Sequence, residues 1–319
     1  MKIVNLDGYT VNPGDLSWEG IKALGNYTVY DRTDSGQILE RAKGAEILVI
    51  NKTVVTNEML DCLVPELKFI ALQSTGYNVV DVKYARSIGI TVSNIPSYSS
   101  DAVAQLVFAF ILQMTNKITL HSDAVMNGEW CTCPDFCFWK SPLAELAGKT
   151  IGIIGFGTIG RRVAEIADAF RMNILAYTPR HKEKGNLNNL EFTDLDTLLK
   201  NSDIITCHCP LTPETTKMIN DNTISKMKKS AIFINTSRGS VVDEKALADA
   251  LNEERIAGAG LDVLDIEPAK SDNPLLRAKN CYITPHIAWA AKETRSRLMN
   301  ILEENIKAYI NNSPQNVVN

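Results

Sequence analysis

Six residues in the middle of the chain, Gly155-Phe-Gly-Thr-Ile-Gly160, limit what it can fold into more than any others. The run Thr150-Ile-Gly-Ile-Ile154 leads into them as a strand, and Arg161–Phe170 follows with a helical pattern. Strand, glycine turn and helix, in that order, are the context that a dinucleotide-binding turn requires. Gly155 permits the tight turn, Gly157 lets the backbone approach a pyrophosphate, and Gly160 lets helix pack on strand. The helix N-terminus then offers unpaired N–H groups and a partial positive charge to phosphate. Roughly half of the chain precedes this turn, so another folded unit comes first.

A length of 319 residues also exceeds one ordinary core and predicts two domains. The hydrophobic fraction of 45% and charged fraction of 22% are those of a soluble globular protein. Net charge is −4 with no basic run, which argues against nucleic acid or an anionic membrane surface as partner. No apolar stretch reaches about 18 residues, and Met1–Asp7 reads as a strand without a leader's apolar core, so the expected location is the cytoplasm. The seven cysteines include Cys131, Cys133 and Cys137 in one short segment. No Cys-x-x-Cys pair or nearby histidine gives zinc-ligand spacing, so reduced thiols and no metal are expected.

Ahead of the glycine turn, strands are expected at Ile3–Leu6, Tyr27–Tyr30, Glu46–Ile50, Phe69–Leu72 and Thr91–Ser93. Helices fall between them at Trp18–Leu24, Gly36–Lys43, Asn57–Cys62 and Val80–Ile88. Such alternation builds a parallel sheet with flanking helices, whose ligands gather at the strands' C-terminal ends. Two loops stand at such ends, Asn51-Lys52-Thr53 and Gln73–Asn78. After the turn, strands are expected at Ile174–Tyr177, Ile204–Cys207, Ala231–Asn235, Gly258–Asp262 and Tyr282–Thr284. Helices are expected at Asp194–Lys200, Thr223–Met227, Glu244–Asn252 and Lys292–Ile310. A long helix from Ser100 to about Met126, apolar on several faces, is read as a domain-crossing and subunit-interface helix.

Three polar residues follow apolar strands of the second half: Arg238 in Asn235-Thr-Ser-Arg-Gly239, Glu267 before Pro268, and His286 after Pro285. Together they suit hydride transfer to a 2-keto acid. An arginine fork binds a carboxylate at two points and polarises the adjacent carbonyl. A histidine gives the carbonyl oxygen its proton as hydride reaches carbon. A carboxylate beside the ring favours the imidazolium that makes this transfer.

With these motifs the chain resembles the D-isomer-specific 2-hydroxyacid dehydrogenases over nearly its whole length. The matching residues are the Gly155–Gly160 turn, His208-Cys-Pro-Leu-Thr212, Asn235–Gly239, Leu261-Asp262-Val263 with Glu267-Pro268, and Pro285-His286. The resemblance implies an α/β protein of two doubly wound parallel-sheet domains. A Rossmann NAD(P)-binding domain (100–289) would be inserted into a flavodoxin-like substrate domain (1–99 with 290–319). It implies Arg238, Glu267 and His286 as catalytic residues, and a substrate carboxylate bound by backbone N–H groups of Thr75, Gly76 and Tyr77, with Arg238. The implied cofactor contacts are Gly155, Phe156, Gly157, Thr158, Ile159, Gly160, Thr178, Arg180, His208, Cys209, Pro210, Thr236 and Asp262, the last near the nicotinamide carboxamide. It implies a homodimer through the 100–140 region.

Within the family, Trp289, the Lys52 loop and Asp135–Lys140 look like glycerate dehydrogenases (hydroxypyruvate reductases). Lys52 would then reach the substrate, and Trp139 would close the partner subunit's site. Alternatives are a D-lactate or phosphoglycerate type dehydrogenase, or a non-catalytic dinucleotide-sensing corepressor on the same fold. One departure bears on the cofactor. NAD-dependent relatives end the strand after the glycine turn with an aspartate for the ribose hydroxyls. Here Tyr177 is followed by Thr178, with Arg180 next but one. A threonine and an arginine accept a 2′-phosphate that an aspartate would repel. NADP(H) is therefore favoured, with NAD(H) the alternative. A second departure, Gln105 where relatives often carry glutamate, has no functional explanation.

Overall fold

The computed structural model describes residues 1–179 and 183–319, so Arg180 lies outside the described residues. The chain divides into two compact units, Met1–Tyr98 with Ala290–Asn319, and Ser99–Trp289. The first unit alternates β1 (Lys2–Asn5), α1 (Glu19–Lys22), β2 (Asn26–Val29), α2 (Ile38–Ala42), β3 (Ile47–Ile50), α3 (Asn57–Leu63), β4 (Phe69–Leu72), α4 (Val82–Ser87) and β5 (Thr91–Ser93). The strands pair in parallel in the order β2-β1-β3-β4-β5, the flavodoxin-like arrangement, which reverses between β1 and β3. Every residue of β3 and β4 is buried, as expected of central strands covered on both faces.

The second unit runs α5 (Ser100–Asn116), α6 (Ile118–Met126), β6 (Thr150–Ile154), α7 (Thr158–Ala169), β7 (Asn173–Tyr177), β8 (Leu190–Phe192), α8 (Leu195–Asn201), β9 (Ile204–Cys207), α9 (Asp221–Ile224), β10 (Ile232–Asn235), α10 (Glu244–Asn252), β11 (Gly258–Leu261) and β12 (Cys281–Ile283). Its strands are all parallel, in the order β12-β11-β10-β9-β6-β7-β8. The reversal falls between β6 and β9, and the order is that of a doubly wound dinucleotide-binding sheet with one added strand. The strand-end loops of β6, β9, β10, β11 and β12 therefore emerge along one edge of this unit.

Two features differ from expectation. The helix expected from Ser100 to Met126 is broken at Lys117, which takes the left-handed conformation (φ 49°), and its halves are bent by 54°. Thr115 Oγ1 donates to the Ile111 carbonyl at 2.8 Å, one turn back, a bond that bends helices just before the break. The apolar faces of α5 are accounted for within its own unit: Val103, Val107, Phe110, Ile111 and Met114 are buried. Phe110 fills the space above Gly260, where a Cβ would lie 2.6 Å from the ring. So α5 is a core helix, and the exposed apolar residues come after Lys117. The short edge strand β8 was not expected, because three residues in a polar stretch carry no periodicity. No single helix among the described residues is long and apolar enough to cross a membrane.

The last helix, α11 (Lys292–Ile310), belongs to the first unit. Leu298, Leu302 and Ile306, spaced by four, are fully buried. Tyr309 stacks on Phe69 of β4 with ring centroids 4.3 Å apart. Phe69→Ala would remove this anchor together with a fully buried ring, destabilising the protein by about 3–5 kcal/mol. Urea unfolding of the variant checks this, and an unchanged midpoint would show that α11 is held by other contacts.

Candidate active site

The glycine turn is fixed by contacts that only hydrogen permits. Gly155 sits at φ 95°, and a Cβ there would lie 2.6 Å from the backbone of His208 and Cys209. At Gly160 a Cβ would meet the Gly155 carbonyl oxygen at 2.2 Å, so α7 is seated directly on the turn. Gly157 differs: a Cβ there meets nothing within 4 Å. Gly157 and Thr158 are exposed, and no side chain caps the α7 N-terminus. Open space before an uncapped helix end fits the pyrophosphate of a dinucleotide. Ile159 is partly buried beside Thr158, whereas the Phe156 ring belongs to the core, edge-on to Phe192 at 5.2 Å. Thr178, partly buried, follows β7 next to the turn, where the Gly155 N–H donates to the Tyr177 carbonyl at 2.8 Å.

Two orphaned polar atoms lie at the neighbouring strand ends. His208, after β9, hydrogen-bonds Thr206 Oγ1 through Nε2 at 2.9 Å, while its buried Nδ1 has no partner. Burial pushes this imidazole down to about 3, so it is neutral at physiological pH. Thr236 Oγ1, after β10, is likewise buried and unpartnered. Unmet buried donors and acceptors are costly, and a polar ligand at these ends would relieve the cost. Cys209 is buried and Pro210 exposed beside them. Together with the open turn, these residues fit a nicotinamide dinucleotide.

The trio expected from sequence lies on adjoining loops of the same sheet. Fully buried Asn235 folds the first: its Oδ1 accepts from Ser237 N at 3.0 Å, and its Nδ2 donates to the Arg238 carbonyl at 2.9 Å. Arg238 is exposed, and only its Nη1 is engaged, on the Ser237 carbonyl at 2.7 Å. The rest of the guanidinium fork makes no hydrogen bond or ion pair with any described residue. Gly239 presses on the next loop so closely that a Cβ would fall 1.9 Å from the Leu264 carbonyl carbon. Leu264 N donates to Glu267 Oε1 at 3.0 Å, and Glu267 Oε2 lies 2.6 Å from His286 Nδ1. A carboxylate at that distance assigns a proton to Nδ1. Nε2 makes no hydrogen bond to any described residue.

Asp262 holds this histidine's loop. It is 1% exposed, and its Oδ1 accepts from Thr284 Oγ1 (2.6 Å) and Ile287 N (2.8 Å), its Oδ2 from Ala288 N (2.9 Å). Burial raises its carboxyl above the usual range, against these hydrogen bonds. His286, at φ 54°, donates its own N–H to the Asp262 carbonyl at 2.8 Å. Both side-chain oxygens of Asp262 thus serve the 284–288 turn.

In the first unit, the exposed Thr75 and Tyr77 flank Gly76 beyond β4. Thr75 Oγ1 donates to the Ile95 carbonyl and Ser74 Oγ to the Gly76 carbonyl, both at 2.6 Å. The N–H groups of Thr75, Gly76 and Tyr77 donate to no described residue, which leaves three successive donors for an anion. Lys52 is exposed beyond β3, on a loop gripped by Asp7. Sequence reasoning missed Asn235 and Asp7. Their one local signal was an amide or carboxylate at the end of an apolar strand.

His208 also has a consequence for stability. Its folded value lies below the unfolded imidazole's 6.5, so between that value and about 3 the unfolded chain binds a proton that the folded chain does not. Its contribution is therefore intact above pH 6.5 and is lost as pH falls through this window. In urea titrations from pH 7 to pH 4, His208→Asn should lose stability less steeply than the parent. Parallel pH dependences would contradict a buried neutral imidazole.

Residues 108–288 match the family model described as the NAD binding domain of D-isomer specific 2-hydroxyacid dehydrogenase. The chain is 47% identical over its full length to a hydroxypyruvate reductase of Blautia hydrogenotrophica, itself fully covered. It is 41% identical to a glycerate dehydrogenase of Methylorubrum extorquens, over 92% of this chain and 91% of that one. Among solved structures it superposes on an acyclic imino acid reductase in complex with NADPH and D-Arg, with TM-score 0.85, 34% identity and full coverage of both chains. The family model spans more than half of the chain and both relatives match it at 41% identity or more along nearly its whole length: the protein belongs to the D-isomer-specific 2-hydroxyacid dehydrogenase family.

Proposed function

We propose that the protein reduces a small 2-keto acid, hydroxypyruvate or glyoxylate, to the corresponding D-2-hydroxy acid, D-glycerate or glycolate. The observation that carries this reading is the 2.6 Å Glu267–His286 pair, with the second ring nitrogen unengaged. The hydroxypyruvate reductase and glycerate dehydrogenase relatives support the choice of substrate. When bound, the reduced nicotinamide supplies a hydride to the carbonyl carbon. His286 Nε2 gives its proton to the carbonyl oxygen, and Glu267 stabilises the imidazolium before that transfer. The open fork of Arg238 pairs with the substrate carboxylate and polarises the carbonyl. The amides of Thr75, Gly76 and Tyr77 suit a carboxylate, and the Lys52 ammonium suits a carboxylate or hydroxyl. In this reading the first unit is the substrate domain and the second the cofactor domain.

The cofactor favoured is NADP(H) over NAD(H). Thr178 stands where a carboxylate would repel a 2′-phosphate, and Arg180, close behind in sequence, would pair with it. The imino acid reductase structure holds NADPH, which is in keeping with this. The working state is a homodimer formed through the 100–140 region, where Ile118, Met126, Trp130, Phe136 and Trp139 are exposed. Seven unpaired cysteines suit the reducing cytoplasm.

Initial rates of hydroxypyruvate reduction with NADPH and with NADH, beside glyoxylate and pyruvate, test the reading. Fast NADPH-linked turnover of hydroxypyruvate is expected, and His286→Ala should lower it by about 10²–10⁴-fold with cofactor affinity unchanged. Turnover with NADH alone would overturn the Thr178 argument, and cofactor binding without turnover would point to a sensing protein. Sedimentation should find a dimer that Phe136→Glu with Trp139→Glu dissociates. A monomeric parent would leave that apolar surface without its proposed partner.

A further inference from the structure

A carboxylate outside the trio organises the loop that carries Lys52. Two residues beyond the end of β1, Asp7 turns its side chain to the end of the adjacent β3. Its Oδ1 accepts from Asn51 N at 2.8 Å. Its Oδ2 accepts from Lys52 N at 2.6 Å, Thr53 N at 2.7 Å and Thr53 Oγ1 at 2.9 Å. Three successive backbone amides therefore converge on one carboxylate, an anion-binding nest filled by the chain itself. Hydrogen bonds to an ionised acceptor are the strong kind.

Asp7 is itself fixed from below. Its N–H donates to Oδ1 of fully buried Asn5 at 3.1 Å. Asn5 also accepts from Gln73 Nε2 at 3.1 Å and donates to the Tyr27 hydroxyl at 3.0 Å. Gln73 opens the loop that presents Thr75, Gly76 and Tyr77, so both strand-end loops are tied to the end of β1. On the Asp7 side, Asn51 and Thr53 are buried and Lys52 between them is exposed. The two loops contrast: the amides at 51–53 are saturated by Asp7, and those at 75–77 are open.

We infer that Asp7 is a positioning residue for Lys52. By filling the amide nest it fixes the backbone from which the ammonium projects. It also denies that nest to a substrate carboxylate, leaving the Lys52 side chain and the 75–77 amides as the donors of this unit. The inference rests on the reading of Lys52 as a substrate-binding residue.

Initial rates with hydroxypyruvate at saturating reduced cofactor, on Asp7→Asn, Lys52→Ala and the double variant, test it. Asparagine sets an NH₂ against the amide donors. The KM for hydroxypyruvate should rise about tenfold in Asp7→Asn. The kcat should stay within about twofold, with the KM for cofactor unchanged. The double variant should be no worse than Lys52→Ala, because Asp7 acts through Lys52. Additive losses, or a normal KM in Asp7→Asn where Lys52→Ala raises it, would overturn the inference. A normal KM in Lys52→Ala would instead remove the substrate role of Lys52, and the positioning role with it. Asp7→Ala gives an independent reading should the asparagine variant fold poorly. Added formate, a carboxylate small enough to refill the nest, should restore its KM relative to chloride at equal ionic strength, and no restoration counts against the inference.

Discussion

The 2.6 Å hydrogen bond from His286 Nδ1 to Glu267 Oε2 joins two strand-end loops that the chain could otherwise hold apart. It requires that each partner be placed by something else. Leu264 N fixes the other oxygen of Glu267, and the Gly239–Leu264 contact fixes Leu264 against the loop that carries Arg238. Asp262 fixes the turn on the histidine side. A single side chain at Gly239 would push the Arg238 and Glu267 loops apart, so the placing of these polar residues depends on a missing Cβ.

Both units place their donors in loops at the ends of parallel strands, but they prepare them differently. In the second unit the turn between β6 and α7 is left open at Gly157, and His208 and Thr236 keep unmet polar atoms nearby. In the first unit the nest beyond β3 is filled by Asp7, whereas the amides beyond β4 are open. Within each unit, the donors left open are the ones free to meet an anion.

Much of this was legible in the sequence. Both sheets, nearly every strand and the order of the glycine turn follow from apolar runs and from the steric demands on Gly155 and Gly160. Glu267 and His286 could be paired by residue type and strand-end position. The break at Lys117 was not legible, because a left-handed lysine and the Thr115 back-bond leave no mark on hydrophobic periodicity. The buried faces of α5 are covered by α7 and by β10 and β11 of the sheet, a packing that hydrophobic periodicity alone does not assign. Asn235 bonds locally, to Ser237 and Arg238, in a turn that its residue type alone does not announce, whereas Asp7 escaped notice because its partners are brought to it by the fold. Asp7 meets its partners more than forty residues away.

The most direct test is the single-turnover rate of hydroxypyruvate reduction by bound NADPH in Glu267→Gln against the parent, with cofactor affinity measured on the same samples. If the Glu267–His286 pair delivers the proton, the variant transfers hydride at least about tenfold more slowly while binding cofactor equally well. Equal transfer rates would contradict that role and leave the pair as a scaffold alone.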